Sequence, residues 1–147
     1  MKFNIIVMML LAVSVTGCKT SQKSAKQDGT PLKGVQWNLK AIEGQVIDEL
    51  THVSQPCIVF YENGSFSGNF GCNAFFGEYY QKKSKLELTY KGSTKKLCDQ
   101  MEMERLMMKA LKKSITQFEI EGNTLILYEG KDEIMRFEDS GIRVENN

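Results

Sequence analysis

The chain has one histidine, four cysteines and no excess of either charge across 147 residues, with a formal net charge of +1. Each scarcity removes a class of function. A Ser-His-Asp or Cys-His hydrolase would have to use His52, which sits in the polar run DELTHVSQP with nothing local to orient its ring. Structural zinc sites bring ligands in close pairs. His52, Cys57, Cys72 and Cys98 contain no such pair, so no metal is expected. Balanced charge offers no basic face to a polyanion, which sets nucleic acid aside as a partner. The glycines at 64, 68, 71 and 77 are followed by no helix start and no phosphate-binding lysine. They read as bends and bulges in twisted strands, and no cofactor is expected. Acidic residues (Glu87, Glu119, Glu121, Glu129, Glu138) are spread along exposed strand faces, and no pair of them stands out as an acid and base. No internal repeat is visible.

What is present begins with the first residues. MKFNIIVMMLLAVSVTGC has one basic residue, Lys2, then an apolar run from Phe3 to Val15, then VTGC. This is the layout of a secretory signal, and the apolar part is too short to span a bilayer. The ending V-T-G-C resembles the bacterial lipobox. In that motif the cysteine thiol receives a diacylglycerol, the signal is cut before it, and the new amine is acylated. Residues 1–17 are therefore expected to be a signal peptide and Cys18 the lipidated first residue of the mature chain. Three acyl chains exceed the two signals that stable anchoring needs. Lys19 stands where an aspartate would signal inner-membrane retention, so the outer membrane is the expected location, with the face left open. Residues 18–31 (KTSQKSAKQDGTP after the cysteine) are polar and lysine-rich, a flexible tether whose lysines suit anionic headgroups. A single domain is expected over 32–147.

Within that domain, period-two alternation dominates. VQWNLKA places Val35, Trp37, Leu39 and Ala41 on one face. CIVFY is a continuous apolar run, Asn63-Gly64 is a hairpin signal, and SFSGNF, FFGEYYQ and LELTY follow. QFEIE, TLILYE and EIMRFE close the chain, joined by turns at Gly122-Asn123 and Gly130-Lys131. One segment breaks the pattern: Met103, Met107, Leu111, Ile115 and Phe118 form a helical stripe, with Asp99 and Glu102 as a capping-box variant. The methionines read as core packing rather than a metal or partner groove. The expected order is five strands, one helix and three strands. That is a mainly β (α+β) fold, a small antiparallel, partly open β-barrel or meander of about eight strands with the helix plugging or covering one end, and an open sandwich is the alternative.

The run GNFGCNAFFGEY, with W-N-L before it, T-K-K-L-C at Thr94–Cys98 and a helix bearing Glu104, resembles the META, or HslJ-like, domain family. Trp37, Gly71, Cys72, Asn73, Phe76 (or Phe75), Gly77, Tyr79, Thr94, Cys98 and Glu104 occupy the motif positions, all in structural roles. The similarity covers about Leu32 to Glu138. It implies a small envelope or secreted domain, often a lipoprotein, of β-barrel-like fold with one helix. No catalytic activity is established for the family, and its bacterial members include a heat-inducible outer-membrane protein linked to novobiocin resistance. Similarity to the cracked barrels of secretion-system pilot lipoproteins suggests a lipid or peptide groove, by analogy alone.

Given the resemblance, Gly71 permits a bend and Asn73 bonds the backbone of the turn. Cys72 is either a compact buried residue or the disulfide partner of Cys98. An oxidising envelope favours the bridge, with Cys57 left as a buried thiol. The expected function is that of a non-catalytic outer-membrane-anchored lipoprotein, monomeric, acting in envelope stress tolerance or binding a peptide, lipid or protein partner. The alternative is a small thiol-dependent enzyme or hydrolase using Cys72.

Overall fold

The computed structural model describes residues 29–47, 54–98 and 101–145. The expectations placed on the signal peptide, on Cys18, on His52 and on the Asp99 cap lie outside those residues.

Nine strands and one helix follow in the order β1 (Val35–Ile42), β2 (Gln45–Val46), β3 (Cys57–Phe60), β4 (Ser65–Asn69), β5 (Ala74–Lys82), β6 (Lys85–Ser93), α1 (Met101–Leu111), β7 (Gln117–Glu121), β8 (Thr124–Glu129) and β9 (Asp132–Arg143). All strand pairs are antiparallel and belong to one sheet. β1 bonds β3 on one edge and β9 on the other, so the sheet returns on itself as a ring. The mainly β fold with one helix is what the sequence pattern implied. Six strands precede the helix, where five were expected. The additional one is β2, a two-residue strand that folds back on β1 through Glu43 and Gly44, both at positive φ (48° and 80°). This is the two-residue hairpin geometry that matches strand twist. Glu43-Gly44 is a weaker sequence signal than Asn-Gly, and β2 is too short to alternate.

The core is the inward face of the ring. Val35, Trp37 and Leu39 are fully buried on β1, as are Ile58, Phe60, Leu86, Leu125, Leu127, Met135 and Phe137 around it. Trp37 Nε1 donates to the Leu32 carbonyl at 2.9 Å, so the indole is both packed and satisfied. The aromatic residues contact one another across strands: Phe60 meets Tyr79 edge-on at 5.1 Å, and Phe70 stacks on Phe75 at 4.3 Å.

The helix is shorter than the apolar stripe implied. Met107, Ala110 and Leu111 bury into the core from α1. Ile115 is buried in the connection beyond it, and Phe118 lies on β7. After Leu111 the bonding tightens, with Lys113 N donating to Ala110 O and Ile115 N to Lys113 O. Thr116 N is then taken by Tyr128 O of β8 at 2.8 Å. Pairing with β8 ends the helix, although the four-residue spacing of the stripe continues. Among the described residues no helix is long and apolar enough to cross a membrane.

The ring is thinnest between β6 and β7, where the ladder is the single pair Lys85↔Gln117. Past that point α1 lies along the open edge of β6. Tyr90 OH is 3.9 Å from Met108 Sδ, and the Lys112 ammonium sits 5.2 Å from the Tyr90 ring centre. Strand directions place two poles. One carries the N-terminal segment and the turns at 61–64, 83–84 and 122–123. The other carries the 70–73 connection, the 94–98 loop and α1.

Candidate binding groove at the helical pole

The motif residues converge at the helical pole. The chain leaves β4 through Asn69, whose Oδ1 accepts from Gly71 N at 2.8 Å, and Gly71 takes a φ of 105°. Positive φ there is what a residue with a Cβ resists. Phe70 N donates to Asn73 O at 2.9 Å and closes the bend. Cys72, at its apex, is disulfide-bonded to Cys98, with the Cα atoms 6.5 Å apart.

Asn73 is wholly buried, and its amide bonds partners far along the chain rather than its own turn. Its Oδ1 accepts from Thr94 Oγ1 and from Lys96 N, both at 2.7 Å. Its Nδ2 donates to Lys96 O at 3.0 Å and to Glu104 Oε2 at 2.8 Å. Thr94 adds Ala74 N → Thr94 Oγ1 at 3.1 Å and Thr94 N → Ala74 O at 2.9 Å. Glu104, 5 % exposed, brings the first turn of α1 to the same point. One side chain thus ties a bend, a loop and a helix together, and the bridge to Cys98 fixes the far end of the loop.

This cluster holds a loop in place. Both acceptor sites and both donors of the Asn73 amide are in use, and the Cys72 sulfur is in a disulfide. Among the described residues no three His, Cys, Asp or Glu side chains group as metal ligands. Cys57 keeps a free thiol, buried, accepting from Asn69 Nδ2 at 3.1 Å, and burial pushes its pKa up. A raised pKa leaves a thiol inert.

The other motif positions are spread around the ring. Gly77 is needed for packing: a Cβ there would lie 2.4 Å from Phe66 Cζ and from Thr89 O. Tyr79 OH donates to Tyr61 O at 2.6 Å, and burial raises its pKa. Phe75, 1 % exposed, holds the core position, while Phe76 is 57 % exposed on the outer face beside Gly92. The choice of Phe76 as the structural motif phenylalanine is therefore corrected to Phe75. The bend at Gly71–Asn73 sets the phase of the alternation.

Beside the cluster a groove of about 470 Å³ opens between β6 and α1. Asn73 and Glu104 lie at its floor, Tyr90, Gly92 and Ser93 form one wall, Met101 and Met108 the other, and Lys95, Lys96, Leu97 and Lys112 the rim. Leu97 is 97 % exposed. Neither the alternation of the strands nor the helical stripe marks these wall and rim residues. The adjacent Lys95-Lys96-Leu97 was the one available signal, since it puts an apolar side chain between two charges and a cysteine. A second cleft, of about 580 Å³, lies at the other pole between Gly29–Lys33 and Phe118 and Ile120. No motif residue lines it.

A family model described as META domain matches residues 30–141. Three solved structures are similar. A solution NMR structure is 25% identical, with 74% of this chain and 91% of that one covered and a TM-score of 0.55. An NMR structure of a protein from Burkholderia xenovorans is 20% identical over 74% and 83% of the two chains, with a TM-score of 0.57. A crystal structure of a DUF4847 family protein from Bacteroides vulgatus ATCC 8482 is 14% identical over 73% and 93%, with a TM-score of 0.51. The latter two bear on the fold alone. No curated protein matches the chain.

Proposed function

The chain belongs to the META domain family, and from that premise we propose that it is a non-catalytic binding domain, held at the outer membrane by lipid on Cys18, which takes a partner in the groove between β6 and α1 and so supports envelope stress tolerance. The observation that carries this reading is the fixed exposure of Leu97. A leucine left in water is unremarkable on a mobile loop. Here the loop is bonded at Thr94, at both backbone groups of Lys96 and through Cys98. Buried polar groups and a covalent bridge hold Leu97 outward on the rim of a groove also lined by Tyr90, Met101 and Met108, and this shared apolar lining, rather than one exposed leucine, is what supports a contact surface.

The alternative, an enzyme using the Cys72 thiolate, gains no support from the site. A bridged sulfur has no thiolate to offer, and nucleophilic cysteines need one. Native protein alkylated at Cys72 by iodoacetamide at neutral pH, without reductant, would revive that reading.

The test is physiological. Cells carrying Cys18→Ala, or the pair Lys95→Glu and Lys96→Glu, should lose tolerance to heat or to an envelope-directed antibiotic as fully as cells lacking the protein. Ile142→Ser, at the opposite pole and 51 % exposed before substitution, should keep it. Full tolerance with the charges reversed would remove the groove from the function.

A further inference from the structure

Strand β6 is paired along one edge and nearly bare along the other. The β5–β6 hairpin closes with Lys82↔Lys85 around a two-residue turn, followed by Tyr80↔Glu87 and Glu78↔Thr89. In an antiparallel ladder hydrogen-bonded pairs recur every second residue. The backbone groups of Lys85, Glu87 and Thr89 therefore point to β5, and those of Leu86, Leu88 and Tyr90 point away from it. Leu86 N–H finds Thr116 O at 3.2 Å. Beyond it no strand of the described residues continues the ladder, because the β6–β7 pairing is one residue pair long. Proteins commonly cover such an edge. Here α1 roofs it but leaves the groove open, with Tyr90, Gly92 and Ser93 along one wall.

We infer that the groove takes an extended acidic segment of a partner protein, added as a further strand on the Leu88–Tyr90 edge of β6, ahead of the register shift at Lys91. The inference rests on the reading of the groove as the binding site. Main-chain groups of the edge supply the affinity common to strand addition, and alternate side chains of the added segment face opposite ways. One set lies on Tyr90, Met101, Met108 and Leu97. The other meets Lys95, Lys96 and Lys112, which form no ion pair among the described residues. The Glu104 carboxylate at the floor is buried and bonded to Asn73, so the three exposed ammonium groups set the sign at the mouth and select an acidic occupant. An anionic lipid surface has the same charge but cannot use the strand edge. A lipid headgroup has no peptide backbone to pair with the bare main-chain groups of the β6 edge, whereas a protein segment does.

The probe is a capped peptide alternating glutamate and valine, titrated into the full lipid-anchored chain in phosphatidylcholine nanodiscs. Binding is read by anisotropy and by the backbone amide resonances of Leu88 and Tyr90. Saturable binding is expected, with both amides shifting. The Lys95→Glu, Lys96→Glu pair should weaken it about tenfold or more, with an unchanged melting temperature showing that the fold is intact. The lysine–valine counterpart, and the glutamate peptide N-methylated at alternate residues on its pairing edge, should not bind. Absence of saturation, or equal binding after charge reversal or methylation, would overturn the inference. Soluble dioctanoyl phosphatidylglycerol binding in place of the peptide would also overturn it, leaving the groove as a lipid site. If neither probe binds while charge reversal still abolishes tolerance in cells, the strand-addition inference falls and the binding groove stands.

Discussion

Asn73 concentrates more of this fold in one side chain than any other residue at the helical pole. Replacing it with Ala would leave the Thr94 hydroxyl, both backbone groups of Lys96 and the buried Glu104 carboxylate short of partners at once. Each buried group left unmatched costs about 1–3 kcal/mol. Asn73→Ala should therefore lower the unfolding free energy by about 3 kcal/mol or more, read by urea titration, and release the 94–98 loop to proteolysis. The sequence marked Asn73 as a motif residue but not what it binds, because its partners lie 21 to 31 positions away and no periodicity records them. The same limit applies to Phe75 and Phe76. Two phenylalanines after a bend are equivalent until the phase of the strand is known. Cys57 gives a prediction of its own. Thiol titration of native protein should find it protected, and unfolding without reductant should expose that one thiol while Cys72 and Cys98 stay silent.

Among the elements, those with regular alternation were legible in sequence, and those set by tertiary pairing were not. β1, β4 and β8 alternate or run apolar, and the turns that lead into β4 and β8 carry Asn-Gly and Gly-Asn, so local chemistry specifies them. The end of α1 is decided by β8, which captures Thr116. The groove too escaped notice, since it exists only because β7 leaves β6 after one pair. Two predictions belong here. Gly77→Ala puts a methyl group against Phe66 and the Thr89 carbonyl, so it should destabilise by about 1–3 kcal/mol, measured by thermal unfolding. The Cys72–Cys98 bridge spans a sequence separation of 26, for which chain entropy gives about 3–4 kcal/mol. Reduction should lower the melting temperature, and non-reducing peptide mapping should find this pair alone. A pairing of Cys57 with Cys72 would contradict the arrangement at the pole.

At the scale of the whole molecule, β1 joins both sides of the ring and the N-terminal segment latches onto it. Thr30 Oγ1 donates to Asp139 Oδ2 at 3.0 Å, and Asp139 also pairs Arg143 at 2.8 Å. Arg143 foremost, then Gly141 N–H and the Thr30 hydroxyl, hold the Asp139 carboxyl below the ordinary carboxylate range. Such a group contributes stability above its unfolded pKa of about 4 and loses it as pH falls through the lower folded value. Wild type should therefore melt above Asp139→Asn at pH 6, and the difference should shrink as pH drops below about 4. Membrane attachment has its own check. Cys18→Ala should move the protein from membranes to soluble or unprocessed forms, and persistence of a processed, membrane-bound variant would refute the lipid anchor.

The central claim is that a partner is held at the helical pole beside Leu97. Site-specific photocrosslinking in intact cells tests it most directly, with the photoreactive residue placed at Leu97 in one strain and at Ile142 in another. The account predicts a discrete adduct from position 97 that disappears when Lys95 and Lys96 are changed to Glu, and none from position 142. The same adducts from both positions, or an adduct at 97 indifferent to the charge reversal, would contradict it.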